Sequence, residues 1–153
     1  MRALEVKIPP VAVVFVFAVL MWLCARYAPP FDFGIPGRDF IAAALAIVGT
    51  ATSIAGVISF RRAGTTVNPL TPAASSSLVR CGVYNLSRNP MYLGFLILLS
   101  SWGTHLANGA AMIFLPVFVA YMNRFQITPE EFALRSRFGR QFDLYASQVR
   151  RWI

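Results

Sequence analysis

From Val11 to Ala25 the chain carries no charged side chain at all. A hydrocarbon core about 30 Å thick needs about 20 such residues in a helix rising about 1.5 Å per residue. Pro9 and Pro10 sit where a helix starts, because the first turn has no use for their missing N–H groups. The run therefore predicts a membrane span over about Ile8 to Tyr27. Arg2 and Lys7 precede it as in a secretory leader, but no pair of small residues around Leu23–Tyr27 supplies a cleavage site. A retained span is expected.

Composition extends that constraint to the whole chain. Of 153 residues, 57% are hydrophobic and 13% charged, and the mean hydropathy is +0.59. Soluble domains carry about 25% charged residues. The net charge of +8 would suggest nucleic acid in a soluble protein. Here the basic residues border apolar runs, which suits anionic lipid headgroups and argues against a nucleic-acid partner. Cys24 lies within an apolar run and Cys81 in a basic loop, and two isolated cysteines define neither a disulfide framework nor a metal site.

Three further spans follow. The second, about Phe40 to Phe60, is rich in Ala, Gly, Ser and Thr, and Gly49 and Gly56 share a face. Small residues let helices approach closely in lipid, so this helix is expected at the centre of the bundle. A polar segment, Gly64 to Ser77, leads to Leu78–Asn89, whose apolar residues Val79, Val83 and Tyr84 predict a loop folded onto the bundle. Pro90 suits the first turn of a third span, to about Leu106, which makes Asn89 a candidate N-cap. Ala107-Asn108-Gly109 joins it to a fourth, about Ala110 to Ile127, kinked at Pro116. His105, near that turn, reads as an interfacial residue.

Thr128-Pro129-Glu130-Glu131 has the form of a capping box, with Thr as N-cap and Glu at the third helical position. Leu134, Phe138, Phe142, Tyr145 and Val149 then recur at helical spacing, predicting a C-terminal amphipathic helix on the membrane or beneath the bundle. The expected architecture is all-α: spans at about 8–27, 40–60, 90–106 and 110–127 plus that helix, as a single domain over 1–153. Four spans place both termini and the loop after Arg61 on one side. That side holds twelve of the fourteen basic residues, so the positive-inside rule makes it cytoplasmic. The expected location is a bacterial inner membrane.

The topology brings Tyr84, Arg88, Asn89 and Tyr92 to the same face as Arg124, Glu130 and Glu131. An Arg/Asn/Glu/Tyr cluster can hold a zwitterionic ligand that bears a ring. The alternatives are a juxtamembrane loop in which Arg88 meets lipid phosphate, a helix cap at Asn89, and a capping box at Glu131. No glycine-rich phosphate loop, Cys/His metal spacing or nucleophile elbow is present. The span interiors lack Asp and Glu, which disfavours a proton-coupled transporter. A non-catalytic scaffold or partner subunit is a further alternative.

Two blocks carry a resemblance. Leu78-Val79-x-x-Gly82-x-Tyr84-x-x-Ser87-Arg88-Asn89-Pro90-Met91-Tyr92-x-Gly94 is followed by Glu130-Glu131-x-x-Leu134-x-x-x-Phe138-Gly139-x-x-Phe142-x-x-Tyr145-x-x-x-Val149-Arg150. Together, around a helical hairpin, they resemble the isoprenylcysteine carboxyl methyltransferase superfamily, which includes phospholipid methyltransferases. The resemblance lies within 64–153. It implies an integral-membrane enzyme that uses S-adenosylmethionine to methylate a hydrophobic or lipid-linked acceptor. Gly82, Tyr84, Arg88, Asn89, Pro90, Tyr92, Glu130 and Glu131 would line the cofactor pocket, with no metal. Glu131 and Arg124 are the catalytic candidates, Glu131 as the base for an amine or thiol acceptor. Two positions depart from the pattern. His is common where this chain has Asn89, and an amide does not titrate near neutral pH. Prenylcysteine members commonly have Arg at the position of Gln126. Arg124 is nearby, but Pro129 argues against an unbroken helix from it to Glu131.

Overall fold

The computed structural model describes residues 8–34, 36–63 and 78–153. Among these the structure is helical, with a single isolated bridge, Asp32 to Asn108, and no named strand. The helices are α1 (Pro10–Tyr27), α2 (Arg38–Arg62), α3 (Pro90–Leu106), α4 (Gly109–Met112), α5 (Phe114–Met122), α6 (Thr128–Phe138) and α7 (Arg140–Gln148). Three stretches are long and apolar enough to cross a membrane: Pro10–Tyr27, Arg38–Arg62 and Gly109–Phe138. The third predicted span, α3, is helical and apolar but has 17 residues.

Helix α3 occupies the centre, with α2 along one side and α1 and α5 on the other. The small-residue helix is therefore not central, as its composition had suggested. Its glycines serve one close contact. A Cβ on Gly49 would stand 2.8 Å from Gly94 O, and one on Gly56 would stand 2.6 Å from Met91 Cγ. The opposite face of α2, including Ile47 and Ile54, is exposed, as a lipid-facing surface must be.

The core lies between α1, α3 and α5. Val13, Phe17 and Met21, four residues apart on α1, are buried against Leu99, Phe118 and Met122. The Phe17 and Phe118 rings meet edge-on at 5.4 Å, a favourable aromatic geometry. At one end of the bundle the buried Asn108 caps α4, its Oδ1 accepting from Ala111 N at 3.0 Å. Its Nδ2 donates to Ala28 O and Asp32 Oδ1, tying the turn after α1 to the α3–α4 hairpin.

Beyond the expected break near Pro116, three expectations need correction in the last third of the chain. Helical hydrogen bonding breaks at Ile113, one turn before Pro116, as a proline in a helix requires. Pro129, by contrast, does not end a helix. Asn123–Ile127 forms a π-turn that leads directly into α6. Ile127 is already helical, and Thr128 Oγ1 donates back to Asn123 O at 2.7 Å. There is thus no N-cap at Thr128 and no capping box at Glu131. Nor is the tail one amphipathic helix. Gly139, at φ 50° and ψ −126°, adopts a conformation open mainly to glycine and separates α6 from α7. Only α7 buries apolar residues, Phe142 and Tyr145. The polar segment Gly64–Ser77 lies outside the described residues, as do Arg2 and Lys7.

Candidate functional site

The site forms at the end of the bundle away from Asn108, where the loop before α3 meets the last residues of the chain. Gly82, at φ 60°, turns the chain into a short 3-10 helix, Gly82–Asn85. That turn buries Tyr84 edge-on against Phe60, with centroids 5.3 Å apart. Tyr145 Oη donates to Tyr84 O at 2.7 Å. Burial pushes the Tyr145 hydroxyl up to about 12 and raises that of Tyr84 further, so both are neutral in ordinary conditions.

From Ser87 to Asn89 the loop is joined to the C-terminal residues. Arg88 N donates to Arg150 O at 2.9 Å, Ser87 Oγ to Arg151 O at 3.1 Å and Asn89 Nδ2 to Arg151 O at 3.0 Å. Asn89 occupies the N-cap position of α3, but its side chain makes no capping bond. It serves as a tether for the tail instead. Pro90, buried at the first position of α3, holds these residues against the helix.

The charges converge on Glu131. Arg88 Nη2 lies 3.0 Å from its Oε1, and Arg151 Nη2 lies 2.7 Å from its Oε2. The Arg88 and Glu131 side chains are 14% and 12% exposed, that of Arg151 38%. Two guanidinium groups on one carboxylate leave a net positive charge, and the Glu131 bond raises the pKa of Arg151. Arg88 Nη1 also donates to Ala146 O at 3.0 Å. Beside this cluster, Tyr92 Oη donates a short hydrogen bond to Glu130 Oε1. The neighbouring glutamates thus face different partners, because successive side chains project about 100° apart around a helix of 3.6 residues per turn.

Most of the sequence-predicted residues come together here: Arg88, Asn89, Pro90, Tyr92, Glu130 and Glu131, with Tyr84 and Gly82 in the adjoining loop. Arg124 does not join Glu131 in the described contacts. It is exposed, its guanidinium 5.5 Å from the centroid of Phe125. The helix does continue from Arg124 to Glu131, but the π-turn shifts its faces. Sequence reasoning missed Arg151 and Trp152. The Trp152 Nε1 donates to Asn123 Oδ1 at 3.1 Å, so the tail also reaches the π-turn. The signal was the basic pair Arg150-Arg151 at the end of the segment that opens with two adjacent glutamates.

Two buried polar atoms have no partner among the described residues: Arg88 Nε, a donor, and Gln126 Oε1, an acceptor. Gln126 is fully buried in the π-turn, and its Nε2 donates to Ile8 O at 2.8 Å, which fixes the orientation of the amide. Unpaired buried groups are rare, and π-turns are frequent at functional sites.

A helical membrane-spanning architecture with a charged, tyrosine-lined site at one end is the class that fold and site define. The phospholipid methyltransferase family model matches residues 38–141, and the chain belongs to that family. Among curated proteins, an uncharacterized protein of Haemophilus influenzae is 40% identical over 63 residues, 41% of this chain and 100% of the relative. A probable protein-S-isoprenylcysteine O-methyltransferase of Oryza sativa subsp. indica is 31% identical over 114 residues, 72% of this chain. The same holds for its counterpart in Oryza sativa subsp. japonica. The chain spans 58% of the length of these rice relatives. No solved structure matches. Family and relatives together support a membrane methyltransferase.

Proposed function

We propose that this protein is an integral-membrane, S-adenosylmethionine-dependent methyltransferase. Its acceptor is a hydrophobic or lipid-linked carboxylate, amine or thiol, taken at the cytoplasmic face of a bacterial inner membrane. In this reading the chain is one domain, α3 is a fourth crossing element, and both termini are cytoplasmic. The observation that carries the proposal is the convergence of Arg88, Tyr92, Glu130 and Glu131 at one bundle end of a family member.

The chemistry of the site suits that cofactor. Arg88 Nε offers a buried unpaired donor and Gln126 Oε1 a buried unpaired acceptor. A ligand with both a carboxylate and an amine, as S-adenosylmethionine has, supplies the complement of each. Arg88, Tyr92 and Glu130 would hold it, with Tyr84, Asn89, Pro90 and Gly82 shaping the wall. When bound, it supplies an activated methyl group on a sulfonium.

Methyl transfer is an in-line displacement that draws mainly on orientation and the exclusion of water. The tail residues Arg151 and Trp152 close the site against Ser87–Asn89 and Asn123, and so keep water out. A carboxylate acceptor arrives charged, whereas an amine or thiol gives up a proton. Glu131 is a poor recipient, because two guanidinium groups engage both of its oxygens. Glu130, next to it and bonded among the described residues by Tyr92, is the better base. Glu131 then positions Arg88, and Arg124 is assigned no chemical step.

A second reading has an observation of its own. Arg88 Nη1, Arg88 N and the Asn89 amide are already bonded to the C-terminal segment, as a non-catalytic scaffold retaining the fold would have them. Methyl transfer from labelled S-adenosylmethionine to a total lipid and small-molecule extract separates the two. Label in an extractable product supports the enzyme; none, from protein that binds the cofactor, supports the scaffold.

A further inference from the structure

At the opposite end, a groove of about 490 Å³ runs beside the seam between α2 and α3. Its floor has no free polar atom to offer. Ser101 Oγ donates to Ala42 O at 2.6 Å, and Trp102 Nε1 to Ala18 O at 3.0 Å. What remains on the walls is apolar: the methyl groups of Ala43 and Ala46, the side chain of Leu98 and the face of Trp102. From Asp39 to Ala46 the groove extends about 10 Å at about 1.5 Å per residue. That is most of one leaflet's share of a hydrocarbon core about 30 Å thick.

The mouth is charged, and its charges are mixed. Asp39 Oδ1 lies 2.9 Å from His105 Nδ1 and 3.9 Å from Arg38 Nε. His105 in turn stacks on Trp102, with centroids 5.6 Å apart and planes inclined by 23°. The Arg38 and Asp39 side chains are 46% and 71% exposed, so one accessible charge of each sign stands at the rim of a shallow apolar groove, Asp39 lining it and Arg38 beside Asp39. An anionic headgroup would meet repulsion from Asp39, and a cationic one from Arg38. A headgroup with a phosphate and an ammonium satisfies both.

We propose that this groove binds a zwitterionic phospholipid of the surrounding leaflet as a structural lipid. Its phosphate lies on Arg38, its ammonium on Asp39, and one acyl chain along Ala43 and Ala46. The site is separate from the Arg88–Glu131 end and is not the methyl-acceptor site. An indole braced between α3 and α1 makes its wall rigid before any lipid arrives, which lowers the ordering cost of binding.

Native mass spectrometry of the full chain, exchanged into micelles holding equal phosphatidylethanolamine and phosphatidylglycerol with matched chains, tests this. The expected result is retention of phosphatidylethanolamine by about tenfold, about 1.4 kcal/mol. Asp39→Asn, on the exposed rim, brings the two lipids to parity, and Ala46→Phe abolishes retention of both by filling the channel. Ala43→Leu checks the channel independently should Ala46→Phe fold poorly. Equal retention of the two lipids by the unaltered protein overturns the proposal. So does retention that survives Ala46→Phe and Ala43→Leu, or a lipid-free dimer that either substitution dissociates.

Discussion

Arg88 Nη2 lies 3.0 Å from Glu131 Oε1, and this ion pair joins the loop before α3 to the helix that leads into the tail. Forty-three positions separate the two residues in the chain. With Arg151 on the other oxygen, Glu131 holds three segments at one point, so its removal should be felt in fold and function alike. Losing one partner of a buried pair strands the remaining charges, at about 3–5 kcal/mol. The exposure of Arg151 lowers the expected cost for Glu131→Ala to about 2 kcal/mol. Thermal unfolding in detergent should show the loss, with Arg151→Ala costing about 1 kcal/mol or less.

Tyr92→Phe removes the hydroxyl that donates to Glu130 and changes little volume. It leaves a partly buried carboxylate short of a donor, at about 1–3 kcal/mol. If Glu130 takes the acceptor's proton, methyl transfer should fall further in this variant than cofactor affinity does. Turnover and binding measured on one preparation would reveal equal losses if Tyr92 merely shaped the pocket.

Gly94→Ala should be the most damaging single methyl group in the bundle. Its Cβ would stand 2.6 Å from Gly49 O and collide with Ser53 Oγ, forcing α2 from α3 at about 1–3 kcal/mol or more. Gly34→Ala, where nothing lies within 4 Å, serves as the control and should leave the unfolding temperature unchanged.

The spans show why much of this fold was legible in the sequence. An apolar run must be helical in lipid because its backbone has no other partner there, so α1 and α2 could be read to within a few residues. Which side of α1 is buried was not legible, because the run is apolar all round: Val13 and Phe17 are buried while Val11 and Phe15 are exposed. What could not be read depended on tertiary context. Thr128-Pro129-Glu130-Glu131 has every local feature of a helix start, yet the π-turn at Asn123–Ile127 carries the preceding helix through it. The apolar period of the tail crosses Gly139 unbroken, though the backbone turns there. The gathering of Arg88, Tyr92 and the glutamates followed from topology, whereas Arg151 becomes visible only once the tail folds back onto Ser87.

Tyr145 supplies a pH dependence. Its folded value of about 12 exceeds the ordinary 10.0 because of burial, so the folded state holds the proton more tightly. Its contribution is complete below pH 10 and should be lost as pH rises toward 12. Tyr145→Phe removes the bond to Tyr84 O, about 1 kcal/mol, and should flatten the stability profile in that window. An unchanged slope would mean that other groups carry it.

Deleting Val149–Ile153 removes every described contact of Arg150, Arg151 and Trp152 with Ser87–Asn89, Asn123 and Glu131. The shortened protein should remain membrane-inserted, since no spanning helix is touched, but lose cofactor affinity. Limited proteolysis should show the segment around Arg88 newly cleaved. Full affinity in the deletion would place the tail outside the site.

The Arg88–Glu131 end of the bundle is proposed to hold S-adenosylmethionine. Calorimetric titration of the detergent-purified protein with S-adenosylmethionine tests it most directly. The prediction is one site per chain, weakened at least about tenfold, about 1.4 kcal/mol, by Arg88→Ala. No heat of binding at millimolar ligand, or an affinity unchanged by Arg88→Ala, would contradict it.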